Sequence, residues 1–257
     1  MLRERSQKRW PNRNRSSEFA CLPAGRESGE VFRTEQEKMT GGEERTNIGV
    51  IVVDFQADFT NFKNGSLAVE GSDEAYVKSV DENTRRLKAA GFPIFGTLDW
   101  HPANHVSFFT SHKGKKAFEV IKIRGKDQVL WPPHCIQNTP GTEILLDKSL
   151  FKAIVNTATD PRFEGYSGFQ DDGGKETGLD DLLKEDKIGK VVVYGIATDY
   201  CVRATALDAV ALGYRVTLIR SLCRGVAPDT TQRAIEEMKA KGVTLLDDLD
   251  LNQIKGR

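Results

Sequence analysis

Runs of β-branched residues alternate with helical patterns from Asn47 onward, and this alternation constrains the fold more than any other feature. The runs are nearly continuous in Val and Ile. This is typical of parallel strands covered on both faces, because a strand buried on one face would alternate apolar and polar residues. The sequence therefore predicts an α/β fold with a central parallel sheet. Strands are predicted at Ile48–Val53, Pro93–Leu98, Ala153–Val155, Lys190–Gly195, Arg215–Ile219 and Val243–Leu246, and helices at Ala75–Ala90, Leu179–Leu183, Thr198–Leu212 and Asp229–Lys241.

Residues 1–46 have a different composition, rich in Arg, Glu and Ser and poor in apolar residues. Such a segment cannot bury enough apolar surface to offset its ordering entropy. We therefore expect a disordered tail over residues 1–46 and one domain over residues 47–257, with Met39 as an alternative natural start.

Charge and cysteine content limit the classes of partner. Basic and acidic residues both number 37, so the net charge of zero gives no reason to expect a nucleic acid or a membrane as partner. The four cysteines form no C-x-x-C pair, and the apolar runs are far shorter than the roughly 18 residues that span a bilayer. We predict a cytoplasmic protein that acts on a small molecule, and leave open whether it forms a homo-oligomer.

Polar residues follow three of the predicted strands. Asp54 follows the first strand, Asp99 and His101 follow the second, and Thr198–Cys201 follows the strand at Lys190–Gly195. Because ligands of open parallel sheets bind beyond the carboxyl ends of the strands, we expect these residues to surround one crevice.

Cys201 is the candidate nucleophile because a strand leads directly into the helix that it begins. A helix N-terminus lowers the pKa of a thiol, and its N–H groups can stabilise an oxyanion. The alternative is a small buried hydrophobic residue, which is the commoner role of cysteine. Asp54 can accept the thiol proton, although an aspartate after a strand is as often a turn or helix cap.

Three residues form a candidate metal site. Asp99 and His101 point the same way in an extended backbone, and His134 follows two prolines that stiffen its approach. Two nitrogens and one carboxylate oxygen leave positions open for water or substrate, as in a catalytic site. One divalent ion is expected, with Zn²⁺ first and Fe²⁺ or Mn²⁺ as alternatives.

Five motifs occur in one order over residues 47–251. They are Asp-x-Gln-x-Asp-Phe at Asp54, Asp-Trp-His-Pro at Asp99, Trp-Pro-Pro-His-Cys at Trp131, Tyr-Ser-Gly-Phe at Tyr166, and Gly-Ile-Ala-Thr-Asp-Tyr-Cys-Val at Gly195. Together they resemble the nicotinamidase/pyrazinamidase branch of the isochorismatase-like cysteine hydrolases. The isochorismatase branch lacks the metal motif, so the resemblance is to the amidase branch.

The resemblance implies a three-layer α/β/α fold and an amidohydrolase that converts nicotinamide, or a pyrazinamide-like amide, to the carboxylic acid and ammonia. Cys201 would form a thioester, Asp54 would move protons, and the metal would bind the ring nitrogen. The resemblance also implies an oxyanion hole at the N–H groups of Ala197 and Cys201, a cis Ile196–Ala197 peptide, ring-pocket walls at Phe59, Trp131 and Tyr166, and a place for a further ligand at His105.

One departure from the family pattern affects the catalytic triad. The family places a lysine shortly before the Tyr-Ser-Gly-Phe motif, and here Thr157 stands at that position. Lys152 lies five residues earlier, about 16 Å away along a strand and on its opposite face. Three interpretations stay open: an active nicotinamidase, a catalytically impaired protein that binds pyridine carboxamides, and a metallohydrolase in which metal-bound water attacks and Cys201 is inert.

Overall fold

The structure is a computed structural model that describes residues 47–256. The tail predicted over residues 1–46 therefore lies outside the described residues. Within the described range, no helix combines the length and the apolar character that crossing a bilayer requires.

Eight strands are found among the described residues, six of them in one sheet. The sheet has the order β5-β2-β1-β6-β7-β8, and all of its neighbouring strands pair in parallel, whereas β3 and β4 form a separate antiparallel hairpin. In chain order the strands are β1 (Asn47–Val53), β2 (Ile94–Asp99), β3 (Val120–Ile123), β4 (Lys126–Val129), β5 (Ala153–Thr157), β6 (Ile188–Ile196), β7 (Arg215–Arg224) and β8 (Thr244–Leu246).

The two central strands, β1 and β6, form the middle of the core. Residues 50–53 and 191–194 are completely buried, as expected for strands that helices cover on both faces. The predicted three-layer α/β/α fold with a central parallel sheet is thereby confirmed. The helices are α1 (Glu74–Ala89), α2 (Leu179–Glu185), α3 (Arg203–Ala211), α4 (Pro228–Ala240) and α5 (Leu251–Lys255).

Local sequence signals explain where several helices begin. The Asp73 side chain accepts a hydrogen bond from the Tyr76 N–H and so caps α1. Pro228 occupies the first position of α4, where a missing N–H costs nothing.

The structure differs from the prediction chiefly in four places. The helix predicted over Thr198–Leu212 consists of a π-helical turn, Thr198–Val202, followed by α3. Strand β7 continues to Arg224, beyond the predicted end at Ile219, because Leu222 and Cys223 are again buried. The hairpin β3–β4 and helix α5 were not predicted, since their short, half-exposed segments carry no clear period.

Gly195 allows β1 and β6 to approach closely at the end of the sheet that carries the candidate site. Its φ is +137°, and a Cβ placed on it would lie 2.1 Å from the carbonyl oxygen of Val53. Asp54 and Ala197 follow these two residues closely, so the close approach determines how far apart the two site segments begin.

We predict that Gly195→Ala lowers the free energy of unfolding by about 3 kcal/mol or more, since it combines backbone strain with a clash against a strand. Gly213→Ala is the matched control, because Gly213 has a φ of +86° but a Cβ placed on it would meet nothing within 4 Å. The control should lose only about 1–2 kcal/mol. If urea unfolding showed equal losses of unfolding free energy in Gly195→Ala and Gly213→Ala, the close approach of β1 and β6 at Gly195 would not matter for stability.

Candidate active site

The carboxyl ends of three neighbouring strands bring the predicted site residues together. Asp54 follows β1, Asp99 ends β2, and the segment Ala197–Cys201 follows β6. A cavity opens between them, and Asp99, Ala197 and Cys201 contribute to its wall. The strand-end prediction therefore located the crevice.

Asp54 and Cys201 form a buried acid–thiol pair. Only 1% of Asp54 and 6% of Cys201 is exposed, and their side chains are hydrogen-bonded to each other. Thr97 donates its hydroxyl to the Asp54 carboxylate at 2.6 Å. Asp54 itself has a φ of +45°, a conformation that aspartate tolerates better than most residues. The carboxylate is thus held in place from two sides.

Burial is the main influence on the Asp54 carboxyl group. Loss of solvent and the nearby Asp99 charge raise the pKa of Asp54 to about 7, although hydrogen bonds from Thr97 and Cys201 oppose the shift. A carboxylate with a pKa near neutrality can both accept and return a proton under physiological conditions. Asp54 therefore has the acid strength of a proton shuttle.

The thiol of Cys201 differs from the prediction. A lowered pKa was expected from the helix N-terminus, but burial, Asp54 and Asp99 raise the pKa of Cys201 well above its usual value. The prediction was wrong because desolvation and two carboxylates outweigh the helix. A raised pKa favours the neutral thiol of Cys201 over its thiolate.

Asp99, His101 and His134 converge on one point. Oδ2 of Asp99 lies 3.1 Å from Nε2 of His101 and 3.4 Å from Nε2 of His134, and the three potential ligand atoms lie within 4.8 Å of one another. All three residues are buried. Burial favours a neutral Asp99, but the two imidazoles prevail and lower the pKa of this carboxyl group.

This cluster fits a divalent metal ion. Nδ1 of His134 is hydrogen-bonded to the Pro132 carbonyl at 2.7 Å, which fixes the ring with Nε2 toward Asp99. Nδ1 of His101 is buried and has no hydrogen-bond partner in the described part of the chain. Two imidazoles directed at a single carboxylate oxygen form the N₂O donor set of Zn²⁺, Fe²⁺ and Mn²⁺ sites.

His105 lies next to this cluster but is engaged elsewhere. Its Nδ1 is hydrogen-bonded to the Ser107 hydroxyl at 2.8 Å, and its Nε2 to the Phe163 carbonyl at 2.9 Å. Both ring nitrogens are therefore occupied, and His105 supports the position of the His101 ring, 4.4 Å away, without adding a ligand atom.

Thr157, at the position of the family lysine, is buried at the end of β5. Its hydroxyl lies 3.3 Å from Oδ1 of Asp99 and 3.2 Å from the Leu98 carbonyl. Lys152 pairs with Asp186 at the surface. Among the described residues, no lysine or arginine is one of the main influences on the pKa of Asp54 or Cys201.

The aromatic residues predicted as pocket walls all border the cavity. Phe59, Trp131 and Tyr166 contribute to it, and Trp131 donates its indole N–H to the Tyr166 hydroxyl at 2.9 Å. Sequence reasoning missed four further lining residues. The strand-end rule could have indicated Val226, which follows β7, and the position beside Cys201 could have indicated Tyr200. The loop residues Leu67 and Val69 carry no such signal.

The backbone around Ala197 has the conformation that the resemblance implied. The Ile196–Ala197 peptide is cis, and Ala197 and Cys201 both lie at the wall of the cavity. The two residues predicted to form an oxyanion hole are therefore close to the space that a substrate would occupy.

Comparison with known proteins identifies relatives of this chain. A family model described as "Isochorismatase domain" matches residues 49–248. The nicotinamidase of Escherichia coli is 37% identical over 215 residues, which cover 80% of this chain and 98% of that protein. A "probable inactive nicotinamidase" of Arabidopsis thaliana is 37% identical over 206 residues, covering 77% and 90%.

A solved structure gives the same result for the fold. The crystal structure of a pyrazinamidase of Pyrococcus horikoshii in complex with zinc is 38% identical in sequence, with a TM-score of 0.65. The match covers 78% of this chain and 99% of that one.

We predict that Asp54→Asn stabilises the metal-free protein at pH 8 by about 4 kcal/mol. The folded-state pKa of Asp54, about 7, lies above the unfolded value of 3.8. The contribution of Asp54 to the free energy of unfolding is therefore fully present below about pH 4 and is lost as the pH rises through 7. Asparagine removes this decline. Urea unfolding with chelator at pH 4 and pH 8 measures it, with exposed Asp248→Asn as the control. A constant difference between the two pH values would refute the assignment.

Proposed function

Because this chain belongs to the isochorismatase domain family and lies in its nicotinamidase branch, we propose that it hydrolyses nicotinamide, or a related aromatic carboxamide, to the carboxylic acid and ammonia. The observation that carries the proposal is the buried Asp54–Cys201 pair near the Asp99–His101–His134 cluster, with Cys201, Asp99 and His134 lining the same cavity. The proposed substrate is a small aromatic amide, since the aromatic residues Phe59, Trp131 and Tyr166 line the cavity beside Cys201.

The first half of the reaction forms a thioester. Asp54 accepts the proton of Cys201 while the sulfur attacks the amide carbon, and the N–H groups of Ala197 and Cys201 stabilise the oxyanion. Asp54 then gives the proton to the amide nitrogen, the C–N bond breaks, and ammonia leaves. A pKa near 7 suits Asp54 to both transfers.

The second half hydrolyses the thioester. Asp54 accepts a proton from water as the water oxygen attacks the thioester carbon, and the same N–H groups stabilise the second oxyanion. The C–S bond breaks, the carboxylic acid leaves, and the proton returns to the sulfur of Cys201. The chain thus ends the cycle in its initial protonation state.

Asp99, His101 and His134 would hold a divalent ion, with Zn²⁺ the first candidate. When bound, such an ion supplies a Lewis acid that can bind a ring nitrogen of the substrate. The residues Phe59, Trp131 and Tyr166 would enclose the ring between aromatic faces, and so orient the amide toward the sulfur.

Thr157 is the feature that favours the alternative of a catalytically impaired binder, because it removes the ammonium group of the family triad. The intact acid–thiol pair and the near-neutral pKa of Asp54 favour a hydrolase. If metal-bound water attacked and Cys201 were inert, Asp54 would have no thiol to deprotonate. The hydrogen bond between Asp54 and Cys201 would then have no role in the reaction.

We predict that Cys201→Ser reduces ammonia release from nicotinamide by at least about 10³-fold, because the serine hydroxyl is a much weaker acid than the thiol. Chelation of wild type should also reduce turnover. Turnover that survives Cys201→Ser but not chelation would support direct attack by metal-bound water. Calorimetric binding of nicotinamide without ammonia release by wild type would support the impaired binder.

We predict that Thr157→Lys increases the rate about tenfold or more, since an ammonium group beside Asp54 and Asp99 lowers the thiol pKa. The pH dependence of iodoacetamide alkylation of Cys201 measures that pKa directly, and it should shift to lower pH. Thr157→Val, which keeps the shape and removes only the hydroxyl, should show no such shift. Unchanged alkylation in Thr157→Lys would mean that this is not the position of the missing lysine.

A further inference from the structure

The Asp-x-Gln-x-Asp motif at Asp54 contains two polar residues that the proposed reaction does not use. Gln56 is completely buried, and Asp58 is partly buried in the turn Ala57–Phe59 that follows. Neither side chain belongs to the metal cluster or to the cavity wall. Their hydrogen bonds nevertheless lead to two of the three candidate metal ligands.

Gln56 is bonded twice to the backbone of Asp99. Its Oε1 accepts the Asp99 N–H at 2.8 Å, and its Nε2 donates to the Asp99 carbonyl at 2.9 Å. A weaker bond joins Nε2 to the Thr142 carbonyl at 3.4 Å. The two bonds hold the peptide planes on both sides of the Asp99 Cα, so they fix the direction in which the ligand carboxylate leaves the chain.

Asp58 holds the peptide that follows His134. Its Oδ2 accepts the N–H of Cys135 at 2.7 Å, and this N–H belongs to the peptide unit whose carbonyl is that of His134. Its Oδ1 accepts the N–H of Ser66 at 3.2 Å, while the Ser66 hydroxyl donates to the Pro133 carbonyl at 2.9 Å. The backbone on both sides of His134 is therefore anchored to one short segment.

The anchoring carboxylate has little freedom to move. A Cβ on Gly141 would lie 1.9 Å from Oδ2 of Asp58, so the absence of a side chain there lets the Gly141 backbone pack directly against the carboxylate. Cys135 also has a φ of +43°, an uncommon conformation that the bond from its N–H to Asp58 helps to maintain.

From these contacts we propose that Gln56 and Asp58 are positioning residues that preorganise the Asp99 and His134 ligands for the metal. The inference rests on the metal site of the proposed function. The spacing of the motif supports the inference. Asp54 contacts the thiol of Cys201, Gln56 holds the backbone of Asp99, and Asp58 holds the backbone next to His134. One segment thus fixes the position of Asp54 relative to the candidate metal ligands. Such ligands tolerate displacements of only about 0.5 Å.

The first test compares Zn²⁺ affinity, by competition with a chromophoric chelator, in wild type and Gln56→Met. Losing the two bonds to Asp99 should weaken Zn²⁺ binding about 10- to 100-fold. The visible spectrum of the Co²⁺ form should change as well, because the carboxylate direction changes. Thr84→Val is the control, since Thr84 is completely buried and bonded to the Tyr194 hydroxyl away from the site. It should lose stability and keep its Zn²⁺ affinity.

The second test compares two substitutions of Asp58. Asp58→Ala removes the acceptor for the Cys135 N–H and should weaken Zn²⁺ binding about 10-fold or more, whereas Asp58→Asn keeps one acceptor oxygen and should restore most of the affinity. Asp73→Ala is the control, because Asp73 accepts a backbone N–H at the start of α1, outside the site. Its Zn²⁺ affinity should equal that of wild type.

The outcomes separate this inference from the function it rests on. A wild type that binds no Zn²⁺ would overturn the metal site itself. A wild type that binds Zn²⁺, with equal affinity and equal Co²⁺ spectra in Gln56→Met and Asp58→Ala, would overturn the positioning roles alone. If Gln56→Met does not fold, the pair Asp58→Ala and Asp58→Asn decides the question by the presence or absence of rescue.

Discussion

The parallel pairing of β1 with its two neighbours is the interaction on which the rest of the molecule depends. Pairs such as Val52 with Gly96 and Val53 with Gly195 set the register of β2 and β6 against β1. Because parallel strands all end at the same edge, this register alone brings the acid, the thiol and the first metal ligand to one crevice. The remaining site residues are supplied by loops that attach to this edge.

Burial determines the chemistry of the crevice. Asp54, Asp99 and Glu164 are three buried carboxyl groups near Cys201, and all three raise the pKa of its thiol. Glu164 is hydrogen-bonded to Gln128 at 2.8 Å, and burial raises its pKa. A divalent ion held by Asp99, His101 and His134 would add positive charge beside these carboxyl groups. Because Thr157 stands where the family has a lysine, more of the positive charge beside the thiol would have to come from the metal site.

The sequence was sufficient for the features that follow from periodicity and strand ends. The Val-rich strands and the positions of Asp54, Asp99 and Cys201 were predictable because burial on both faces and the end of a strand leave a pattern in the residues themselves. The thiol pKa was not predictable, since it depends on how deeply two carboxylates and the sulfur are buried together. The places of Leu67 and Val69 at the cavity wall were missed for a related reason, because a loop brings them there and leaves no pattern in the sequence.

The depth of Cys201 has a consequence for survival under oxidative conditions. Peroxides attack thiolates that solvent can reach, and convert them first to sulfenic acid and then irreversibly to higher oxides. Cys201 is 6% exposed, and burial together with the carboxyl groups of Asp54 and Asp99 raises the pKa of its thiol. The sulfur is thus a poor target for oxidants, so burial would protect the proposed nucleophile from irreversible oxidation.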